Sequence, residues 1–160
     1  MGEIPQSNEI VTQVDPLVTK VANELHDAWR ESRRIPGTDT FEPRIKPAKD
    51  AEWTAKNGGQ TELDIANTSY ENLPKPWQAE NKSAAESVVK EIRKAEFSNI
   101  PLDDSFIETA SNAQHVAWLE RNGSWAEEGQ KLPYPELSET EKEKDRVVVK
   151  TALNVYRDSK

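Results

Sequence analysis

Cysteine is absent from this 160-residue chain. Its absence excludes disulfide staples, thiolate metal sites and thiol nucleophiles together, and it suits a reducing compartment. Long apolar runs are missing as well. No stretch approaches the roughly 20 residues that a membrane-spanning helix needs, and the opening MGEIPQSNEI has neither the basic nor the apolar region of a secretion signal. Gln6 also breaks the myristoylation pattern. The expectation is a cytoplasmic chain with no membrane partner. Basic excess is the third absence: net charge is −8, residues 1–80 carry 9 basic and 14 acidic groups, and residues 81–160 carry 12 and 15. Nucleic-acid affinity comes largely from neutralising phosphates, so neither half suits general DNA or RNA binding. A local basic pocket for a small anion stays open.

Histidine is scarce too, and here scarcity is informative. The chain has two His and five Trp, and the two His fall in HDAWRE (His26 to Glu31) and HVAWLE (His115 to Glu120). Each His is followed three residues later by Trp, with Ala between and Glu two further on. Random placement of Trp would produce this coincidence with odds on the order of one in a thousand, so an internal repeat is the first thing to test. A second match follows each His. Tyr70 to Val89 aligns without gaps on Tyr134 to Leu153 at a constant offset of 64, pairing Tyr70 with Tyr134, Leu73 with Leu137, Asn81 with Asp145, and Lys82 with Arg146. The His offset is 89, so the stretch between the two matches is 25 residues longer in the first copy.

The flanking segments read as helices. Asp15 is a suitable N-cap and Pro16 a suitable first residue, and Leu17, Val18, Val21, Leu25, Ala28 and Trp29 fall on one stripe. Arg33 and Arg34 suit the C-terminal end of the dipole, and IPG stops the helix. In the second copy Phe106, Ile107, Ala110, Ala117 and Trp118 form the stripe and Asn122-Gly123 closes it. A third helix begins near PKPWQAEN and carries Ala85, Val88, Val89, Ile92 and Ala95. A fourth starts at the Ser138/Glu141 capping box and runs to about Tyr156 over Val148, Val149, Ala152 and Leu153. The long first middle holds Pro43, Pro47 and Gly58-Gly59, too many breakers for a long helix; TFEPRI reads as a short extended edge piece and NGG as a turn.

The expected fold is therefore mainly α: two repeats of two main helices each, with irregular middles between them. Residues 1–14 form an N-terminal tail, 15–97 the first repeat with its long insertion, and 98–160 the second, all in one two-repeat unit with Ile100 to Asp103 as the link.

With these residues set out, the second half resembles the ryanodine-receptor repeat family. The resemblance lies in His115-x-x-Trp118, Trp125, and LPYPELSETEKEKDR, where Leu132, Pro133, Tyr134, Leu137, Lys142, Asp145 and Arg146 occupy typical positions over about 40 residues. The first half resembles it more loosely through His26, Trp29, Tyr70, Leu73, Asn81 and Lys82; Gln78 stands where the family has a basic residue and Ser69 where it has Pro. The resemblance implies two helical-hairpin repeats related by a pseudo-two-fold axis, with irregular loops that admit short β pairings; in the large calcium channels such repeats are peripheral modules that carry regulatory loops, and small stand-alone chains of this kind are generally of unassigned function.

Two readings of the repeated residues follow. In the structural one, His and Trp share a helix face, the Trp buries a large area, and the His bonds to the partner helix, where Asn81 and Asp145 offer acceptors. In the functional one, His26, Trp29, Tyr70, Lys82, His115, Trp118, Tyr134 and Arg146 form a ligand site in the cleft between repeats, with aromatic platforms to stack a base or sugar and a basic side chain to hold phosphate or carboxylate. The candidate partners are a small anionic or nucleotide-like ligand and a protein docking on an apolar patch around Phe41 and Trp53. No cofactor is expected, and no metal site, since each copy offers one imidazole and His-x-x-x-His spacing is absent. No catalytic residue is assigned: the chain has no G-x-S-x-G elbow and no glycine-rich phosphate loop. The leading expectation is a non-enzymatic binding module. The alternative is a small hydrolase or transferase acting on a nucleotide-like substrate with His26 or His115 as general base.

Overall fold

The computed structural model describes residues 15–159, so the tail expected at 1–14 lies outside the described residues. The chain is mainly α-helical. Four long helices, α1 (Pro16–Glu31), α3 (Lys75–Phe97), α4 (Asp104–Asn122) and α5 (Glu139–Asp158), are joined by a short helix α2 (Ala51–Lys56) and a two-stranded ribbon of β1 (Ile45–Pro47) and β2 (Glu62–Asp64). Each long helix except α3 opens on a polar side chain that accepts from its first-turn amides: Asp15 from Leu17, Asp103 from Phe106, and Ser138 from Glu141. Helix α3 starts instead on Pro74, with Pro76 in its first turn, where no amide donor is lost.

The core is drawn from all four long helices. Val21 and Ala22 of α1, Ala85, Val88, Val89 and Ile92 of α3, Ala110 of α4, and Val149, Ala152 and Leu153 of α5 are almost fully enclosed in a single cluster. Helix α3 packs on α1, α4 and α5, and α5 packs on α1 and α4. Helices α1 and α4 meet chiefly through these neighbours, which leaves a diagonal gap between them.

The stripe expected on α3 is buried as read. That on α4 shifts: Phe106 and Ala110 are buried, but the stripe continues through Ser111, Gln114 and His115 rather than through Ala117. Helix α1 ends at Glu31, so Arg33 and Arg34 lie past it instead of in its last turn. The backbone there is claimed by the next segment, since Arg34 bridges Phe41 and the Glu42 amide donates to the Arg33 carbonyl at 2.7 Å.

The long first middle is more ordered than its breakers suggested. Its extended piece lies at Ile45–Pro47, beyond most of TFEPRI, and pairs antiparallel with β2 in the register Ile45–Asp64, Lys46–Leu63 and Pro47–Glu62. Asp50 caps the unexpected helix α2, and Gly58 and Gly59 turn back at φ +68° and +86°, the left-handed region that glycine enters without strain. Asp64 ties the return: its carboxylate accepts from the Arg44 and Ala66 amides and from Asn67. Phe41, expected on an exposed patch, is buried beneath the Arg30 and Arg34 guanidiniums, 4.6 and 4.9 Å from the ring centre. Trp53 is half-buried and donates to the Asn72 carbonyl at 3.0 Å.

Candidate functional site

Each imidazole is buried and spoken for. His26 Nε2 donates to the Thr68 carbonyl at 2.8 Å, and His115 Nε2 donates to the Leu132 carbonyl at 2.8 Å. The acceptor precedes the aligned tyrosine by two residues in both halves. The sequence separations are 42 and 17 residues, and their difference of 25 equals the extra length of the first middle. Each ring stacks on its own tryptophan: His26 on Trp29 at 5.8 Å and 23°, His115 on Trp118 at 6.2 Å and 12°. Both histidines therefore hold a loop through Nε2, and only His115 also meets the expected residue of the neighbouring helix, Asp145 of α5; the hydrogen-bonding reason for the loop contact is plain. A loop carbonyl has no ladder partner, and a buried imidazole N–H supplies one.

The two halves differ at the second ring nitrogen. His115 Nδ1 faces Asp145 Oδ2 at 3.4 Å, with the carboxylate side chain only 13% exposed. Because Nε2 must carry hydrogen to donate to a carbonyl, one further proton is required for an Nδ1–carboxyl bond, carried by either partner. Burial raises the Asp145 carboxyl to about 6, opposed by His115 and Lys144 and reinforced by Glu141. His26 is held below its ordinary value, chiefly by burial.

Helices α1 and α4 face one another across a groove of about 610 Å³. Leu25, Ala28 and Trp29 line it from α1, Gln114, His115 and Trp118 from α4, and Asn81 and Ala84 from α3, with Asp145 and Val148 from α5. Both tryptophans are partly exposed, which fits a wall better than a core position. Trp118 also meets Trp125 edge-on at 5.7 Å, and Trp125 is 64% exposed. Trp29 carries the Arg33 guanidinium 5.3 Å from its ring.

Of the eight residues expected in one cleft, the structure brings together Trp29, His115 and Trp118. His26 lies behind Trp29, covered by the Thr68 loop. Tyr70 and Lys82 border a different, open depression of about 1120 Å³ between α1 and the C-terminal end of α5. Tyr134 and Arg146 are engaged with each other's neighbour: the Tyr134 hydroxyl donates to Glu108 at 2.9 Å, and Arg146 clamps Glu108 and Glu139 at 2.7 and 3.0 Å. Arg146 holds Glu108 below the usual carboxylate range, and burial raises the Tyr134 hydroxyl. An arginine so occupied is not offered to a phosphate. Gln78, aligned with Lys142, donates to the Tyr70 carbonyl at 3.0 Å, while Lys142 lies over the Tyr134 ring at 5.7 Å.

Gln114 is the groove residue that sequence reasoning missed. It is 3% exposed, and its Oε1 has no hydrogen-bond partner among the described residues. A signal was present: Ser111, Gln114, His115 and Trp118 stand at i, i+3, i+4 and i+7, a buried-face spacing filled by polar groups. Among the described residues no group of three or more His, Cys, Asp or Glu is arranged to hold a metal ion. No described helix is long and apolar enough to cross a membrane. Comparison with family models, with curated proteins and with solved structures found no match to this chain.

Proposed function

We propose that this chain is a non-enzymatic cytoplasmic binding module, built from two ryanodine-receptor-like repeats, which takes a planar ligand into the groove between α1 and α4. The observation that carries the reading is the wall: Trp29 and Trp118, from the two matching His-x-x-Trp segments, line one groove together with Gln114, whose buried Oε1 has no hydrogen-bond partner among the described residues. Its volume falls within the range of small-molecule sites, which join apolar and aromatic walls to a few placed polar groups. The duplication is supported by the shared anchoring of each histidine two residues before its tyrosine. A general-base role is not supported, because both Nε2 atoms are committed to carbonyls and both rings are enclosed.

The test is titration of 15N-labelled protein with acridine, neutral at pH 7.5, following the five indole N–H resonances. The Trp29 and Trp118 signals should move together, with Trp77 unmoved, because its indole donates to the Pro47 carbonyl on another face. Equal movement at Trp77, or none at Trp29 and Trp118, would remove the groove from consideration.

A further inference from the structure

The charge lining the groove points away from the anionic ligand that the sequence suggested. Three carboxylates, Glu80, Glu141 and Asp145, border it with a single ammonium, Lys144. Two of the acids have local partners: Arg121 reaches Glu80 at 2.8 Å, and Lys144 reaches Glu141 at 3.0 Å. The ammonium that a phosphate would need is thereby engaged. Arg146 is turned onto Glu108 and Glu139, and Lys82 borders the other depression. The Arg33 guanidinium on the Trp29 ring lies outside the lining and donates to the Glu42 and Pro43 carbonyls, so no groove-lining cation among the described residues is left to neutralise an anion.

What the groove does offer is π-surface and acceptors. Indole faces attract cations through the ring quadrupole, more strongly where water is excluded. Gln114 contributes an acceptor with no partner among the described residues, on a side chain more than nine-tenths buried. A buried carbonyl oxygen left unpaired carries a desolvation cost that a ligand N–H would relieve. Asp145, on the same wall, adds a carboxyl 3.4 Å from the His115 ring and 13% open.

Resting on the groove assignment above, we infer that the ligand is a planar nitrogen heterocycle bearing positive charge and an N–H donor edge, stacked on Trp29 and Trp118 with its donor on Gln114 Oε1. Asp145, which has no lysine or arginine at ion-pair distance among the described residues, supplies the compensating charge. Three ring-matched probes separate the inference from the assignment it rests on: 9-aminoacridine, a cation with an amino donor; acridine, neutral; and acridine-9-carboxylate, an anion, all by calorimetry at pH 7.5.

The expected order is cation, then neutral, then anion, with at least tenfold between first and last. Gln114→Leu should weaken 9-aminoacridine about tenfold and leave acridine unchanged, and Asp145→Asn should narrow the cation-to-anion ratio. If acridine binds and moves both indoles but the anion equals or exceeds the cation, the charge inference fails and the groove assignment survives. Cation preference that persists unchanged in both variants overturns the assignment of Gln114 and Asp145. Binding of none of the three overturns both. Gln114→Leu replaces an unpaired polar group with an apolar one, so folding is retained, and a thermal transition no lower than that of the wild type verifies it.

Discussion

Replacing Asp145 with Asn tests the electrostatics of the groove most sharply. The wild-type carboxyl is raised from 3.8 to about 6, a difference of roughly 2 units, which corresponds to about 3 kcal/mol at about 1.4 kcal/mol per unit. The sign follows from proton counting. Between these values the folded state keeps a proton that the unfolded chain has released, so stability declines as pH rises from about 4 to 6 and stays lower above. Asn is neutral throughout, and its amide donates to His115 Nδ1 while Nε2 continues to donate to Leu132. Asp145→Asn should thus match wild type near pH 4 and exceed it by about 2–3 kcal/mol at pH 7.5. His26 works the other way, since burial lowers its value and acid below about 6.5 destabilises the fold; being common to both proteins, it cancels in the difference. The assay is urea unfolding of both proteins at half-unit steps from pH 4 to 7.5, with the pH dependence of the difference as the readout. A difference that does not change with pH, or a wild type more stable than the variant at pH 7.5, would refute the reasoning. The second outcome would mean that Asp145 and His115 form an ion pair strong enough to outweigh desolvation.

Gln114→Leu should raise stability by about 1 kcal/mol, measured by urea unfolding, because an unpaired buried acceptor is removed; destabilisation would show that Gln114 has a structural partner. Trp29→Ala and Trp118→Ala should each cost about 2–3 kcal/mol, below the roughly 3–5 of a fully enclosed aromatic, because both rings are partly exposed; wild-type melting of both would reduce the rings to pure ligand contacts. Ser138→Ala removes the cap that accepts from Glu141 and should cost about 1 kcal/mol in thermal unfolding, with the loss in α5 amide protection confined to its first turn.

The four long helices were legible because their signals are local. Asp15 and Ser138 cap where expected, and the apolar spacing through Val88, Val89 and Ile92 faces the core at 2% exposure or less. The matching His-x-x-Trp and Tyr-x-x-Leu segments were equally readable, since identity at fixed spacing needs no coordinates. Helix α2 was less so, hidden by surrounding Pro and Gly although Asp50 marks its start. Lys82 and Arg146 occupy aligned positions, yet one borders an open depression and the other is locked on Glu108 and Glu139. Alignment assigns equivalent places on a helix and says nothing about which charges a neighbouring helix brings to them.

The sequence by itself determined the four long helices and the buried face of α3, through caps and periodicity, and it carries the matching segments at offsets of 64 and 89. Only the tertiary structure decided that Trp29, Gln114, Trp118 and Asp145 share one groove, that His115 meets a carboxyl while His26 is chiefly enclosed, and that the wall is acidic rather than basic. Those are properties of the gap between α1 and α4, whose residues are separated by some hundred positions of chain; burial, and with it the charge each group carries, is set by what packs across that gap.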